Sequence, residues 1–383
     1  MATSVPITGE VLRWAMAEAG YTSRQLGRAV GVSTGTIEAW EEEVEAPNAT
    51  QFHKLAKELG RPESFFFLPR PPARKPVPVT ASFRRPPGAD STLSAEELKV
   101  LRQAKRTVQV VSWIRTEEDQ KYRVGIPAAI SHEPPPVVAE RLREWLRWPA
   151  KTFVGAERTE AGTRNHVRTS LQDLGLLVIH TSMSGSQVRG FALPDPVAPL
   201  IAVNTSDSNG ARLFSYGHEL AHLTLHDRAV CHTKENEGIE RWCNQVAASL
   251  FMPADEFRDN VRRKLSVNKV GHISEVRTLA NLYRLSLRAV AVRLEDLGLA
   301  MPGLYAHVDR VTENKKRGGT YDEDRVQTKP RTRIQRFGRA YGQALLAADE
   351  HGLMKSAQIL ELVGLSPSEY TEFRELVLTG NEG

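Results

Sequence analysis

The chain has 383 residues, of which 40% are hydrophobic and 25% charged, with a net charge of +5. That length suits two to three domains of roughly 100–200 residues. The balance excludes collagenous and wholly disordered chains, and two cysteines, Cys231 and Cys243, exclude a disulfide framework. No apolar run approaches the roughly 20 residues of a membrane span, and the N-terminus lacks the basic-then-apolar layout of a secretory signal. A cytoplasmic protein with no membrane partner is expected. Charge is unevenly spread: residues 1–60 carry 5 Lys/Arg against 8 Asp/Glu, residues 61–130 carry 13 against 7, and residues 310–339 carry 10 against 4. The two basic stretches can meet phosphate or an acidic protein surface.

In chain order, residues 1–68 read as a domain of short helices. Val11, Leu12, Ala15, Met16 and Ala19 recur at helical spacing, and Gly20 closes the run. Ser23 is expected to cap a second helix, Gly31 to provide a turn, and Ser33 or Thr34 to cap a third helix through Ile37 and Trp40. A fourth helix carries Phe52, Leu55, Ala56 and Leu59, and Phe65 to Leu68 form an apolar plug. Residues 69–93 form a Pro/Arg-rich linker, expected to be extended because proline fixes φ and removes donors. Residues 94–136 form a helical connector, with a helix from Ser94 to about Thr116 and a break at Pro134 to Pro136.

Residues 137–300 read as the main, α+β domain. Helices are expected around 141–148 and 161–174. Strands are expected at 174–181, 190–193 and 200–204, and further helices around 211–225, 238–251, 254–265 and 274–297. Residues 301–330 read as a basic flexible link. Residues 331–383 read as a small helical C-terminal domain of about three helices, with a helix-turn-helix-like stretch from Ala357 to Glu372.

The most informative string is His218-Glu219-Leu220-Ala221-His222, an H-E-x-x-H pattern. On a helix, residues four apart share one face, so both imidazoles can reach one ion. Glu219 beside them can take a proton from water and return it to a leaving amine. A third ligand six residues after His222 is excluded, because Arg228 stands there. The candidates are His226, His232, Glu235, Glu237 and Glu240. Glu240 is the best of them because it opens a second amphipathic helix, Ile239 to Phe251, able to pack on the first. Asn244, one turn on, could hydrogen-bond the far nitrogen of a ligand histidine. Tyr216, His226 and His232 are candidates to steady an oxyanion at the scissile carbonyl. The alternatives are that Tyr216 faces the core and His226 caps a helix. Cys231 and Cys243 are candidates for extra ligands, with a buried thiol the favoured reading of Cys243.

These residues, with Ile239-Glu240-Arg241-Trp242-Cys243-Asn244 running on to Met252-Pro253, resemble the ImmA/IrrE family of metallo-endopeptidases over roughly residues 137–300. Ser215-Tyr216-Gly217 departs from the Thr-Leu-Ala common in that family. The resemblance implies a zincin-like fold, zinc on His218, His222 and Glu240, and Glu219 as general base. It also implies a protein substrate of repressor type, in mobile-element or stress circuits.

The stretch from Thr22 to Glu41 is similar to the XRE/Cro-type helix-turn-helix. In that reading Ser33, Thr34 and Thr36 face the major groove, while Ser23, Arg24 and Arg28 meet phosphates. Glu41, Glu42, Glu43 and Glu45 follow where the family commonly has basic residues, so recognition of a protein instead of DNA stays open. Arg331 to Phe373 resembles the helical tail of some fused members, with a packing or homodimerising role. The reading is a multidomain chain: an all-α helix-turn-helix domain, an α+β peptidase domain with a small sheet, and a helical C-terminal region. Its expected function is zinc-dependent proteolysis of a repressor or antitoxin-type protein in a stress, mobile-element or phage-defence circuit. The alternative is a non-proteolytic DNA-binding regulator with a structural or sensory metal.

Overall fold

A computed structural model describes residues 4–71, 82–84, 94–148, 159–183, 186, 188–225, 236–313 and 327–380. The chain divides into two compact units, Met1–Thr80 with Gly88–Gln103, and Ala81–Pro87 with Ala104–Gly383.

In the first unit, α1 (Gly9–Ala19) ends at Gly20 in the left-handed region, φ 67°. α2 (Ser23–Val30) is capped by Thr22 and not by Ser23. The Thr22 side chain accepts from the Gln25 N–H while Gln25 reaches back to the Thr22 N–H, a reciprocal pair that moves the helix start one residue earlier than expected. Gly31, φ 86°, turns the chain into α3 (Thr34–Glu41), whose Ser33 cap accepts from the Thr36 N–H at 3.0 Å. α4 (Ala49–Leu59) completes the set, and Leu12, Leu26, Ile37, Trp40, Leu55 and Phe66 are buried between the helices. Part of the acidic run after Trp40 is structural. Glu43, at φ 60°, accepts the Gly9 N–H at 2.7 Å and so caps α1. Position 9 has no room for a side chain, since a Cβ there would fall 2.2 Å from the Glu41 carbonyl oxygen. The long α5 (Ala95–Glu118) starts in this unit and runs on into the second.

The second unit holds a four-stranded sheet of order β1-β3-β4-β2, from β1 (Ser82–Arg84), β2 (Leu177–Thr181), β3 (Gly190–Leu193) and β4 (Leu200–Asn204). β2 and β4 are parallel, whereas β3 is antiparallel to both β4 and β1. Asn204 is buried and binds the connection between β2 and β3, accepting from the Met183 N–H and donating to the Met183 and Val188 carbonyls.

Against the sheet lie α7 (Glu160–Asp173) and α8 (Asn209–Thr224), with α6 (Pro135–Trp145) packed on α9 (Asn236–Phe251), which packs on α8, and α10 (Ala254–Asn260) following α9. The proline run begins α6 instead of separating it, because proline suits the first helical turn where its missing N–H is not needed. A single helix expected over 274–297 is two, α11 (Ile273–Tyr283) and α12 (Leu287–Asp296). Arg284 is left-handed, φ 57°, and Ser286 caps the second. The stretch over 254–265 likewise changes, from α10 to a π-helical turn at Val261–Leu265. The segment expected to be a flexible link contains α13 (Leu304–Glu313), held by buried Leu304 and Val308 and by an Arg288–Asp309 ion pair. Among the described residues the C-terminal region holds four α-helices, α14 (Lys329–Phe337), α15 (Arg339–Glu350), α16 (Ser356–Val363) and α17 (Tyr370–Thr379). Among the described residues no helix is long and apolar enough to cross a membrane.

Candidate metal centre

α8 packs against β3 and β4 and against α9. Leu220, Ala221, Val246, Ala247, Leu250 and Phe251 share the buried core around this contact. Gly217 sets the spacing: a Cβ there would fall 2.6 Å from the Phe251 ring and 3.3 Å from the Ala247 methyl. α9 is held at its C-terminal end by two arginines. The Leu250 carbonyl accepts from Arg143 Nη1 at 2.7 Å, and the Met252 carbonyl accepts from Arg293 Nε and Nη2 at 3.0 and 2.8 Å. Positive groups on the last carbonyls of a helix complement its dipole and satisfy its unpaired acceptors.

This packing brings together His218 and His222 of α8 and Glu240 of α9. The two Nε2 atoms are 3.1 Å apart. Glu240 straddles them, with Oε2 3.1 Å from His218 Nε2 and Oε1 3.1 Å from His222 Nε2. His218 Nδ1 donates to Asn244 Oδ1 at 3.0 Å, which leaves a lone pair on Nε2 facing the cluster. Ligand atoms about 2.0–2.2 Å from a tetrahedral zinc lie roughly 3.3 Å from one another, so the three separations fit one such ion. The donor set, two imidazoles and one carboxylate, is also that of a zinc site with an open position. Burial alone would raise the Glu240 carboxyl, but its contacts with His218 and His222 outweigh this and hold it well below the usual carboxylate range.

Glu219 and His218 are completely buried, whereas the Glu240 side chain keeps 28% of its exposure, so the cluster opens on the α9 side. The Glu219 carboxylate lies against β3, where a Cβ on Gly190 would fall 3.0 Å from Oε1. Cys243 is buried and unbridged, its thiol pushed well up by burial and by the neighbouring Glu240 and Glu219.

Residues 171–295 match the IrrE N-terminal-like domain family, Peptidase_M78. Residues 12–66 match the helix-turn-helix family, so the two domains follow in the expected order. No curated protein matches the chain. Both metal-cluster helices, α8 and α9, lie inside the IrrE N-terminal-like domain. The chain therefore joins a domain of a metallopeptidase family to a helix-turn-helix module.

Not every expected residue joins the cluster. Tyr216 is completely buried, and its hydroxyl pairs with His180 Nε2 of β2. Two residues before His218 on a helix is about 200° around the axis, so Tyr216 faces the sheet and not the metal face. Burial, with Arg168, Arg164 and Arg212 nearby, pushes the His180 imidazole well below its usual range, which leaves it neutral against that hydroxyl. His226, His232, Glu235 and Cys231 lie outside the described residues, and Glu237 is exposed. In the helix-turn-helix module, Arg24 and Arg28 are exposed. Ser33 and Thr36 share a hydroxyl contact of 2.8 Å at the start of α3, beside Thr34, and Ser23 donates to Glu41 at 2.8 Å. Sequence reasoning gave no role at the site to Gly190, Gly217, Arg143, Arg293 or His180. For the two glycines the only sequence signal was a missing side chain within an otherwise apolar strand or helix.

Proposed function

We propose that the chain is a zinc-dependent endopeptidase coupled to a DNA-binding regulatory module. Its substrate in this reading is a repressor or antitoxin-type protein in a stress, mobile-element or phage-defence circuit. The observation that supports it best is the convergence of His218, His222 and Glu240 from two helices at mutual separations of 3.1 Å. A bound zinc ion would supply Lewis-acid polarisation of the scissile carbonyl and would make water acidic enough to lose a proton near neutral pH. His218, His222 and Glu240 hold the ion, and Asn244 fixes the His218 ring. Glu219, pinned against the Gly190 backbone, accepts the proton of the attacking water and hands it to the leaving amine. In the first unit, Arg24 and Arg28 meet phosphates, and Ser33, Thr34 and Thr36 approach base edges, with Ser23 at the backbone.

The test is zinc content, together with cleavage of candidate repressor partners, for the unmodified chain and for Glu219→Gln. The substituted protein is expected to keep its zinc and lose cleavage. Full activity in Glu219→Gln removes Glu219 from the mechanism. Operator binding in gel shifts with no cleavage by the unmodified chain favours a non-proteolytic regulator.

A further inference from the structure

β3 is the strand that touches Glu219, and its two edges are both taken. One pairs with β4. The other pairs antiparallel with β1, with Arg84 opposite Gly190, Phe83 opposite Phe191 and Ser82 opposite Ala192. β1 is three residues long and lies in the proline-rich linker. It belongs to the second unit, although the chain on either side of it belongs to the first. Its register starts at Gly190, the residue whose missing side chain lets the Glu219 carboxylate approach the sheet.

An extended polypeptide binds most readily by adding a strand to a free sheet edge, where main-chain hydrogen bonds supply affinity without regard to sequence. A substrate whose scissile bond is to reach Glu219 needs an edge that runs past Glu219, and among the described residues that edge belongs to β3. We propose that β1 is a built-in substrate mimic: Ser82–Arg84 of the linker occupies the β3 edge on which an extended polypeptide substrate binds, and the substrate must displace it. This rests on the peptidase reading above. A ladder of three residues is a weak one, and a longer incoming strand replaces its hydrogen bonds and adds more.

The test uses the full chain in a Glu219→Gln background, so that nothing is cut. The probe is a fluorescein-labelled peptide of linker residues 77–89, with binding read by anisotropy. The parent is compared with Phe83→Pro/Arg84→Pro, in which proline at two successive positions removes whichever N–H faces β3. The peptide is expected to bind the double-proline chain about tenfold more tightly than the parent, the ratio that follows when the internal strand leaves the edge free in about a tenth of the molecules. Equal affinity overturns the proposal and leaves β1 as a strand that only blunts an edge. If the double-proline chain does not fold, amide exchange on the parent decides. Those of the 82–84 amides that face β3 are expected to be protected in the free chain and to lose protection when the peptide saturates it. Exchange at the rate of an unstructured peptide overturns the proposal. Neither readout needs zinc or turnover, so a chain without zinc or cleavage refutes the peptidase reading by a separate measurement.

Discussion

Replacing Asn244 with alanine isolates the contribution of a single hydrogen bond to metal binding. Asn244 Oδ1 accepts the Nδ1–H of His218 at 3.0 Å, and His218 has no solvent exposure. Without that acceptor the buried N–H has no water to turn to, and an unmet buried donor costs about 1–3 kcal/mol. The ring can escape only by moving its proton to Nε2, which removes the lone pair that faces Glu240 and His222. Either outcome weakens zinc binding. Outer partners of metal-bound histidines are typically worth roughly 10–100-fold in affinity, about 1.4–2.7 kcal/mol. The assay is competition with a colorimetric zinc chelator on the full chain, with thermal unfolding recorded alongside to show that the fold survives. Asn244→Asp keeps the acceptor and should retain zinc. If Asn244→Ala binds zinc within about twofold of the parent, a shift of well under 1 kcal/mol, the reasoning from tautomer to affinity is wrong.

Other substitutions probe the scaffold and the first unit. Gly217→Ala puts a methyl 2.6 Å from the Phe251 ring. It should cost about 1–3 kcal/mol in urea unfolding as α8 and α9 move apart, with weaker zinc binding; an unchanged midpoint means that the ring yields freely. Arg293→Met removes both donors to the Met252 carbonyl and should destabilise by about 2–3 kcal/mol, read by the same unfolding curve. A loss below about 0.5 kcal/mol would show that the carbonyl finds another partner. Arg24→Ala with Arg28→Ala should weaken DNA binding across all sequences and reduce the salt slope by roughly two charges. An unchanged slope in a salt titration excludes both as phosphate contacts.

The cluster was legible because its two halves obey helical periodicity. H-E-x-x-H places two rings on one face, and the Trp242, Val246 and Leu250 pattern orients Glu240 and Asn244 on the next helix. The three strands at 177–181, 190–193 and 200–204 stood out as apolar runs bounded by turns. β1 did not, because three residues between prolines carry no alternation, and its pairing depends on a partner far along the chain. The break at Arg284 was hidden for a different reason. Apolar residues on both sides keep a nearly continuous helical period, and only the capping Ser286 marks the second start. α13 was masked by composition, since a basic stretch can still bury Leu304 and Val308 when an ion pair such as Arg288–Asp309 anchors it. Of the two roles open to Tyr216 in the sequence, its buried position and its pairing with His180 match the core-facing one, since a neighbour in sequence is not a neighbour on a helix face.

The order in which the ribosome makes the sheet bears on how the chain behaves while it is being synthesised. Arg84 emerges 106 residues before Gly190, the difference between the two paired positions. The nascent segment that will cover the edge is therefore waiting when β3 leaves the exit tunnel. Because the covering strand precedes the covered one, the β3 edge need not stand open to neighbouring nascent chains while the rest of the domain is made.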